Sequence, residues 1–359
     1  MTIAKHMSLA LALALSMGAA VTGCAADQTS TPPGDDDGSG SGSGSGGDPL
    51  PQDVDAAGKY AVQSKFDLAQ NMPGTAGDVT RTIIAATDDS ADPSLWIIEQ
   101  AINAMPNGTF KSFLNGAKPF VAGYINDRLL EIAPDFVTTM VTMGNDFGDA
   151  AKNFGLNSTL DVSKSGTSYT AVHTVLGAHF KINNVESDYA FADYGVANTV
   201  VPGVGVTVDT TGKLGLADHK VPVAYGKVLR IGLDAAIIPS LDPTASNLGQ
   251  LLQHQVDCQT VGQVMEQYCE DNFGFGPGSG TFQSACNAGL TAGANLIYSK
   301  IDAIDASALE FALTGTAKAL DKNNDKKLDT IQSGTWAGTL SYAGTPAPLA
   351  NATFFGSRM

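Results

Sequence analysis

The stretch of sequence with the most chemical potential lies near the C-terminus, where side chains that carry oxygen alternate with other residues. Asp321, Asn323, Asp325 and Asp329 occupy positions 1, 3, 5 and 9 of this stretch. Alternate residues of a tight turn can converge on one ion, and Ca²⁺ takes about six to eight oxygen ligands. Lys327 could add only its backbone carbonyl. The stretch therefore predicts a weak calcium loop, and Ca²⁺ is the one cofactor that the sequence suggests.

This spacing resembles the calcium loop of EF-hand and dockerin modules, and Leu328 at position 8 also fits their pattern. Two positions depart from it, because Lys326 stands where those modules have Gly and Gln332 stands where they have Glu. The flanking residues predict strands, whereas the resemblance implies helices. A second interpretation, a solvated β-hairpin loop that binds no ion, stays open and is the one that the departures favour.

The first 24 residues have the pattern of an export signal. Lys5 and His6 precede an apolar run at residues 9–17. This run is shorter than the roughly 20 residues that a membrane-spanning helix needs, and it has the length of the apolar part of a signal peptide. The sequence Val-Thr-Gly-Cys follows at residues 21–24. It resembles the lipobox of bacterial lipoproteins.

The lipobox resemblance implies a lipid anchor at Cys24. In that family the thiol receives a diacylglyceryl group, the chain is cleaved before the cysteine, and the new amine is acylated. Each buried CH₂ contributes roughly 0.8 kcal/mol, so three acyl chains make the anchor effectively permanent. Ala25 stands where an Asp would imply retention in the inner membrane. The resemblance therefore predicts a bilayer as partner and the bacterial envelope, at its outer membrane, as location.

Residues 25–58 have the composition of a flexible tether. They contain seven Asp, no Lys or Arg, and a run of alternating Gly and Ser. Such a segment cannot bury enough apolar surface to offset its chain entropy. We predict a signal peptide at 1–23, the lipidated cysteine and a disordered linker at 24–58, and one globular domain at 59–359. Two subdomains divided near residue 240 are the alternative.

The charge balance limits the partners of the protein. Acidic residues number 36 and basic residues 20, which gives a net charge of -16. Nucleic-acid binding needs clustered Lys and Arg, so nucleic acid is not an expected partner. Long-range attraction to an anionic membrane face is disfavoured for the same reason.

Three cysteines lie close together in the C-terminal part: Cys258, Cys269 and Cys286. In the oxidising compartment that export implies, such a group forms one disulfide and leaves one thiol. One straight helix would hold Cys258 and Cys269 roughly 16 Å apart, whereas the Cα atoms of a disulfide lie about 4.4–6.8 Å apart. The sequence favours Cys269–Cys286 across the glycine-rich loop 274–280, with Cys258–Cys286 as the alternative.

The sequence contains none of the common catalytic motifs: the nucleophile elbow, the zinc-protease helix, the Walker loop and the dinucleotide fingerprint. His173 and His179 are six residues apart, so on one continuous strand they would share a face about 20 Å apart. His219 is predicted in a loop. We therefore predict a non-enzymatic protein, and an exported hydrolase with a dispersed acidic site is the alternative.

Strand and helix signals alternate in blocks after residue 59. Residues 60–68 predict a strand, a helical block extends to about 154, and residues 158–233 predict five or six short strands. A second helical block is predicted at 247–303, followed by closing strands. Single helices do not separate the strands. The sequence therefore predicts an α+β fold with antiparallel β segments and two helical blocks.

The predicted role is a binding or envelope-structural module on a tether, or more specifically a carrier of a lipid-like ligand. Apolar helices packed on a curved sheet can enclose a groove. The residues that would line it are Met105, Phe110, Phe113, Phe120, Phe136, Met140, Met143, Phe147 and Phe154. The alternative for the same residues is an ordinary hydrophobic core.

Overall fold

The computed structural model of the chain describes residues 54–69, 71–74, 76–77, 134–182, 184–274, 276, 278–304 and 309–359. Cys24, residues 25–53 of the predicted tether and most of the first helical block lie outside these residues. The predicted disorder of the tether is wrong for residues 54–58, because Ala56 is buried and β1 begins at Gly58. The described residues fall within one compact unit.

Ten strands and six α-helices make up this part of the chain. The strands are β1 (Gly58–Phe66), β2 (Phe154–Ser165), β3 (Ser168–Ile182), β4 (Val185–Ala190), β5 (Thr199–Val208), β6 (Lys213–Val223), β7 (Leu309–Leu320), β8 (Thr330–Tyr342), β9 (Thr345–Pro348) and β10 (Thr353–Arg358). The helices are α1 (Pro134–Lys152), α2 (Tyr225–Ile231), α3 (Ile238–Leu241), α4 (Leu248–Gln255), α5 (Cys258–Phe273) and α6 (Ser279–Ile304). A 3₁₀ turn (Phe191–Tyr194) follows β4, and a π-helix (Gly232–Ile237) joins α2 to α3.

Eight of the strands close into an antiparallel barrel. Their order is β1-β2-β3-β5-β6-β7-β8-β10, and β10 pairs with both β8 and β1. β4 pairs with β3 and β9 pairs with β8. The described residues thus combine antiparallel strands with helices, as the α+β prediction has it. Their closure into one barrel was not predicted.

The connections between strands divide the barrel into two ends, because neighbouring strands run in opposite directions. We call the end that holds the β2–β3, β5–β6 and β7–β8 connections the hairpin end; it comprises residues 54–59, 161–170, 207–214, 317–331 and 357–359. At the other end α1 leads into β2, and α2 to α6 connect β6 to β7. We call these helices the cap. No helix among the described residues is long and apolar enough to cross a membrane.

Alternate residues of each strand fill the barrel with side chains. In β1, Tyr60, Val62, Ser64 and Phe66 are buried, and the residues between them are more exposed, as the period of a strand requires. Where the cap meets the barrel, aromatic rings close the core. The ring centroids of Phe66 and Phe311 lie 4.6 Å apart.

Two β-bulges give the histidines of β3 and β6 positions that differ from those predicted from the sequence. The register of β2 on β3 shifts where Leu176 is the extra residue, and this shift reverses the alternation of β3. His173 therefore points into the barrel and His179 lies on its outer face, so the prediction of a shared face is wrong. His219 lies in β6, beside a second bulge, and the predicted loop at this position is wrong.

The predicted β block also extends too far. It was expected to run to about residue 233, but β6 ends at Val223 and α2 covers Ile231. Short apolar runs such as the one around Ile231 fit a buried helix and a buried strand equally well by periodicity. The last part of the first predicted helical block, which is described from Pro134 to Lys152, and the second helical block are confirmed.

Candidate functional site

A cleft in the cap is the best candidate for a site. It has a volume of about 460 Å³, which lies within the range of small-molecule sites, about 300–1,000 Å³. The 3₁₀ turn, α2, the π-helix and α6 form its walls. Its charged residues are Lys227, Arg230, Asp234 and Asp302. We call it the cap cleft.

A π-helix places Asp234 in this cleft. Gly232 and Leu233 are buried in its first turn, and Gly232 lies against Phe180, because a Cβ on Gly232 would be only 3.1 Å from Cζ of that ring. Short π-helical turns inside helices are frequent at functional sites. Here the wide π-helical turn directs Asp234 toward α6, while Leu233 and Ile237 remain in the core.

Asp234 is a half-buried carboxylate with two donors. Tyr298 Oη donates to its Oδ1, and Arg230 Nε donates to its Oδ2 at 3.3 Å. Burial raises the pKa of Asp234, although both donors oppose this shift. The carboxylate is therefore kept in place by neighbours that favour its charged form.

Tyr298 connects three elements of the cap. Besides its bond to Asp234, its hydroxyl accepts the backbone N–H of Leu248 at 2.9 Å, where α4 begins. The guanidinium carbon of Arg230 lies 4.1 Å from the centroid of its ring, a cation–π distance. Burial, followed by the bond to Asp234, raises the pKa of Tyr298. The hydroxyl is thus a permanent donor to Asp234.

Arg230 lies between two carboxylates. Its Nη1 donates to both oxygens of Asp302, at 3.2 and 3.3 Å, in addition to the bond from Nε to Asp234. The cleft thus holds two basic and two acidic side chains, three of them on α2 and the π-helix and one on α6. This arrangement suits recognition of a ligand that bears charge of both signs. It is less suited to acid–base catalysis, because both carboxylates already accept from Arg230.

None of these four charged cleft residues was predicted from the sequence as a site residue. Lys227, Arg230 and Asp234 are spaced at three and four residues, and Tyr298 and Asp302 at four, which is the spacing of one helix face. This signal was hidden because the segment around Ile231 was assigned to a strand, where such spacing has no meaning.

The interior of the barrel holds a polar group that the sequence also did not indicate. His219 Nδ1 donates to the carbonyl of Ala217 at 2.8 Å, so its Nε2 accepts from Nδ1 of His173 at 3.0 Å. Trp336 lies beside both rings and donates to Ser64 Oγ at 3.1 Å. Burial lowers the pKa of His173 to about 3 and also lowers that of His219. Both rings are therefore neutral parts of the core.

His179 belongs to a polar network on the outer wall. Its Nδ1 lies 2.8 Å from Asp188 Oδ1, which also accepts from Asn157 Nδ2 at 2.6 Å. Gln63 Nε2 donates to Asn157 at 3.2 Å, so the network joins four strands. Among the described residues, no serine, threonine or cysteine hydroxyl or thiol is hydrogen-bonded to His179. The network thus lacks the nucleophile of a catalytic triad.

The predicted calcium loop connects β7 to β8. Asp321 accepts backbone N–H bonds from Asn323, Asp325 and Lys326, and Asp325 accepts from Lys327 at 2.8 Å. Asp329 accepts the N–H of Lys322 at 2.8 Å. The described residues contain no group of three or more His, Cys, Asp or Glu that could hold a metal ion. Calcium binding here stays a prediction, and the carboxylates have a second role in shaping the loop.

The cysteines pair differently from the favoured prediction. The disulfide joins Cys258 to Cys286, whose Cα atoms lie 5.6 Å apart, and Cys269 is a buried free thiol. The favoured Cys269–Cys286 pair is wrong, and the alternative is the one observed.

The register of α5 on α6 explains this pairing. The loop before α6 folds back along α5, so α6 begins beside Glu266, whose Oε2 accepts the N–H of Ser279 at 2.8 Å. The helices touch at Gly262, where a Cβ would lie 2.6 Å from the carbonyl oxygen of Ser279. Cys286, two turns into α6, therefore meets Cys258 and not Cys269.

The residues predicted to line a lipid groove fall into two groups. Met143, Phe147 and Phe154 are at most 3% exposed and lie in the hydrophobic core. The others lie outside the described residues or in α1 with side chains that are not described: Met105, Phe110, Phe113, Phe120, Phe136 and Met140. The groove itself stays a prediction. Cys24, the predicted lipidation site, also lies outside the described residues.

The chain matches no protein-family model, no curated protein and no solved structure.

Proposed function

We propose that this chain is a bacterial lipoprotein, anchored through acylated Cys24, whose folded body binds a small ligand in the cap cleft without catalysing a reaction. The observation that carries this proposal is the position of the cleft relative to the start of β1. The first described strand begins at the hairpin end, whereas the cleft lies in the cap at the other end. A chain anchored at residue 24 would therefore keep its binding end away from its attachment point.

The chemistry of the cleft indicates the class of ligand. Lys227 and Arg230 supply positive charge, and Asp234 and Asp302 supply negative charge. A ligand that bears a carboxylate or phosphate and an ammonium group can replace the ion pair between Arg230 and Asp302. Its anionic group would pair with Arg230 and its ammonium group with Asp302, so neither side chain would be left unpaired. Asp302 is 62% exposed at its side chain, so this exchange costs little desolvation. Free amino acids and zwitterionic lipid headgroups both carry these charges, and a headgroup ligand would correspond to the predicted lipid carrier.

Thermal shift and calorimetry test the ligand class. The mature chain with Cys24→Ser would be titrated with free amino acids and with phosphoethanolamine, and with acetate and ethylamine as singly charged controls. We expect stabilisation by a zwitterionic compound only, and its loss in Arg230→Gln. Lys220→Gln, which breaks the Lys220–Glu310 ion pair on the barrel wall, serves as the matched control. Binding that survives Arg230→Gln would contradict the assignment of the cleft.

One observation favours the second candidate, an exported hydrolase. Asp234 has a pKa raised by burial and shares Arg230 with a second carboxylate, Asp302, and glycosidases use a pair of carboxylates of which one has a raised pKa. Activated aryl glycosides test it. We expect no turnover above the rate of an Asp234→Asn variant. Turnover that this substitution abolishes would replace binding by hydrolysis as the function.

A further inference from the structure

The charges of the described residues are divided unevenly between the hairpin end and the remainder. The hairpin end carries eight Lys and Arg against six Asp, whereas the other described residues carry seven Lys and Arg against sixteen Asp and Glu. The negative charge of the folded body therefore belongs to the cap and the barrel wall. The hairpin end is slightly basic, although the sequence as a whole argues against attraction to an anionic surface.

Five of the six aspartates of the hairpin end accept backbone N–H groups of neighbouring residues. Asp209 Oδ1 accepts the N–H groups of Thr211 and Lys213 at 2.8 and 2.9 Å. Asp321 and Asp329 shape the β7–β8 loop in the same way. These carboxylates face backbone donors, and the hydrogen bonds to Thr211 and Lys213 lower the pKa of Asp209.

Six of the seven lysines of the same end have no such partners. Lys59, Lys213, Lys318, Lys322, Lys326 and Lys327 are exposed, and none of them forms an ion pair with a described residue. Three of them, Lys322, Lys326 and Lys327, project from one loop. The hairpin end therefore exposes the ammonium groups of these six lysines to the solvent, without ion-pair partners among the described residues.

The loop with three lysines is tied to the segment where the chain leads back toward Cys24. Asp55 N donates to the carbonyl of Lys326 at 2.7 Å, and Leu328 N donates to the carbonyl of Asp55 at 3.0 Å. Arg358 adds a bond from Nη1 to the carbonyl of Ala57 at 3.0 Å. The lysines therefore lie directly beside the attachment point of the tether.

We propose that the hairpin end docks on the anionic headgroups of the membrane that holds the chain. This inference rests on the proposed function only for the presence of that membrane. Each lysine near an anionic bilayer strengthens binding by about 1 kcal/mol, or about fivefold. The nine residues of β1 span roughly 30 Å, so the acids of the cap lie beyond the screening length of about 8 Å. Docking in this orientation leaves the cap cleft facing away from the bilayer.

Vesicle sedimentation tests the docking surface. The mature chain, residues 24–359, with Cys24→Ser would be mixed with phosphatidylcholine vesicles that contain phosphatidylglycerol, and with pure phosphatidylcholine vesicles. We expect at least tenfold stronger binding to the anionic vesicles, which salt reverses. The triple variant Lys322→Gln, Lys326→Gln, Lys327→Gln should weaken this binding about 100-fold, and the corresponding Glu triple variant should weaken it more.

A matched triple variant at the other end controls for net charge. Lys65, Lys152 and Lys300 are exposed at the cap end, and their change to Glu should alter binding less than about twofold. Equal binding to both kinds of vesicle, or equal losses in the two triple variants, would overturn the proposal. Because the chain used here carries no acyl group, this result is independent of whether Cys24 is lipidated.

Discussion

At the scale of single residues, Tyr298 holds the cap cleft together. Tyr298→Phe removes the donor to Oδ1 of Asp234, which keeps its bond from Arg230 to Oδ2, and removes the acceptor of the Leu248 N–H. We expect the free energy of unfolding to fall by about 1–3 kcal/mol, as measured by urea denaturation. Tyr194→Phe is the control, because this ring is 45% exposed at the edge of the same cleft. An equal loss in both variants would show that the Tyr298 hydroxyl has no special role.

The histidines inside the barrel predict a pH dependence of stability. An unfolded histidine has a pKa near 6.5, whereas burial lowers that of His173 to about 3. Below about pH 6.5 the unfolded chain therefore binds more protons than the folded chain does. The contribution of His173 to the free energy of unfolding is fully present above this pH and is lost as the pH falls toward 3. The slope approaches about 1.4 kcal/mol per pH unit for His173.

Denaturation between about pH 6.5 and 5 measures this slope, because carboxylates with lowered pKa values lose their contribution only below about pH 5. His173→Leu should flatten the dependence, whatever its effect on stability at neutral pH. An unchanged slope in this variant would contradict the buried, neutral state of the ring.

The β7–β8 loop gives a prediction about calcium. Its aspartates accept backbone N–H groups, so we expect millimolar Ca²⁺ to leave Tm unchanged. Asp321→Ala, which removes three of these bonds, should lower Tm with and without Ca²⁺. A rise in Tm with Ca²⁺ that disappears in Asp325→Ala would instead support the EF-hand interpretation.

At the scale of elements, the register of α5 on α6 decides which cysteines pair. In a Cys24→Ser background, we expect one free thiol after denaturation, and none in Cys269→Ser, by titration with a thiol reagent. Two free thiols in Cys269→Ser would mean that Cys269 is in the disulfide. Removing the observed disulfide with Cys258→Ser should lower stability by about 3–4 kcal/mol, because the bond closes a 28-residue segment.

The elements that the sequence predicted correctly are those with long and regular patterns. The alternation of residues 60–68 and the helical spacing after Pro134 and after Asn247 specify one structure each. Local patterns could not show the extra residue at Leu176, the π-helix at Gly232–Ile237 or the fold-back of the loop before α6. These features depend on contacts with distant elements, and they place His173, Asp234 and Cys286. The candidate site was missed for this reason.

At the scale of the whole molecule, the barrel separates two surfaces. The cap holds the cleft, the cap and the barrel wall together hold the excess of negative charge, and the hairpin end holds the exposed lysines and the start of β1. Pairing of β10 with β1 and β8 brings the C-terminal strand beside the first described one, so the start of β1 and the C-terminus lie at the hairpin end. A protein attached to a membrane at this end has its proposed binding site at the other.

We propose that acylated Cys24 attaches the chain to the bacterial envelope, and the orientation of the cleft depends on this attachment. Expression of the wild-type chain and of Cys24→Ser in a Gram-negative host, followed by membrane fractionation and intact-mass analysis, tests it most directly. We predict that the wild type sediments with membranes, starts at residue 24 and carries the mass of three acyl chains, whereas Cys24→Ser is recovered in the soluble fraction. An unmodified mass for the wild type, or wild-type levels of membrane association in a variant without acyl mass, would contradict the account.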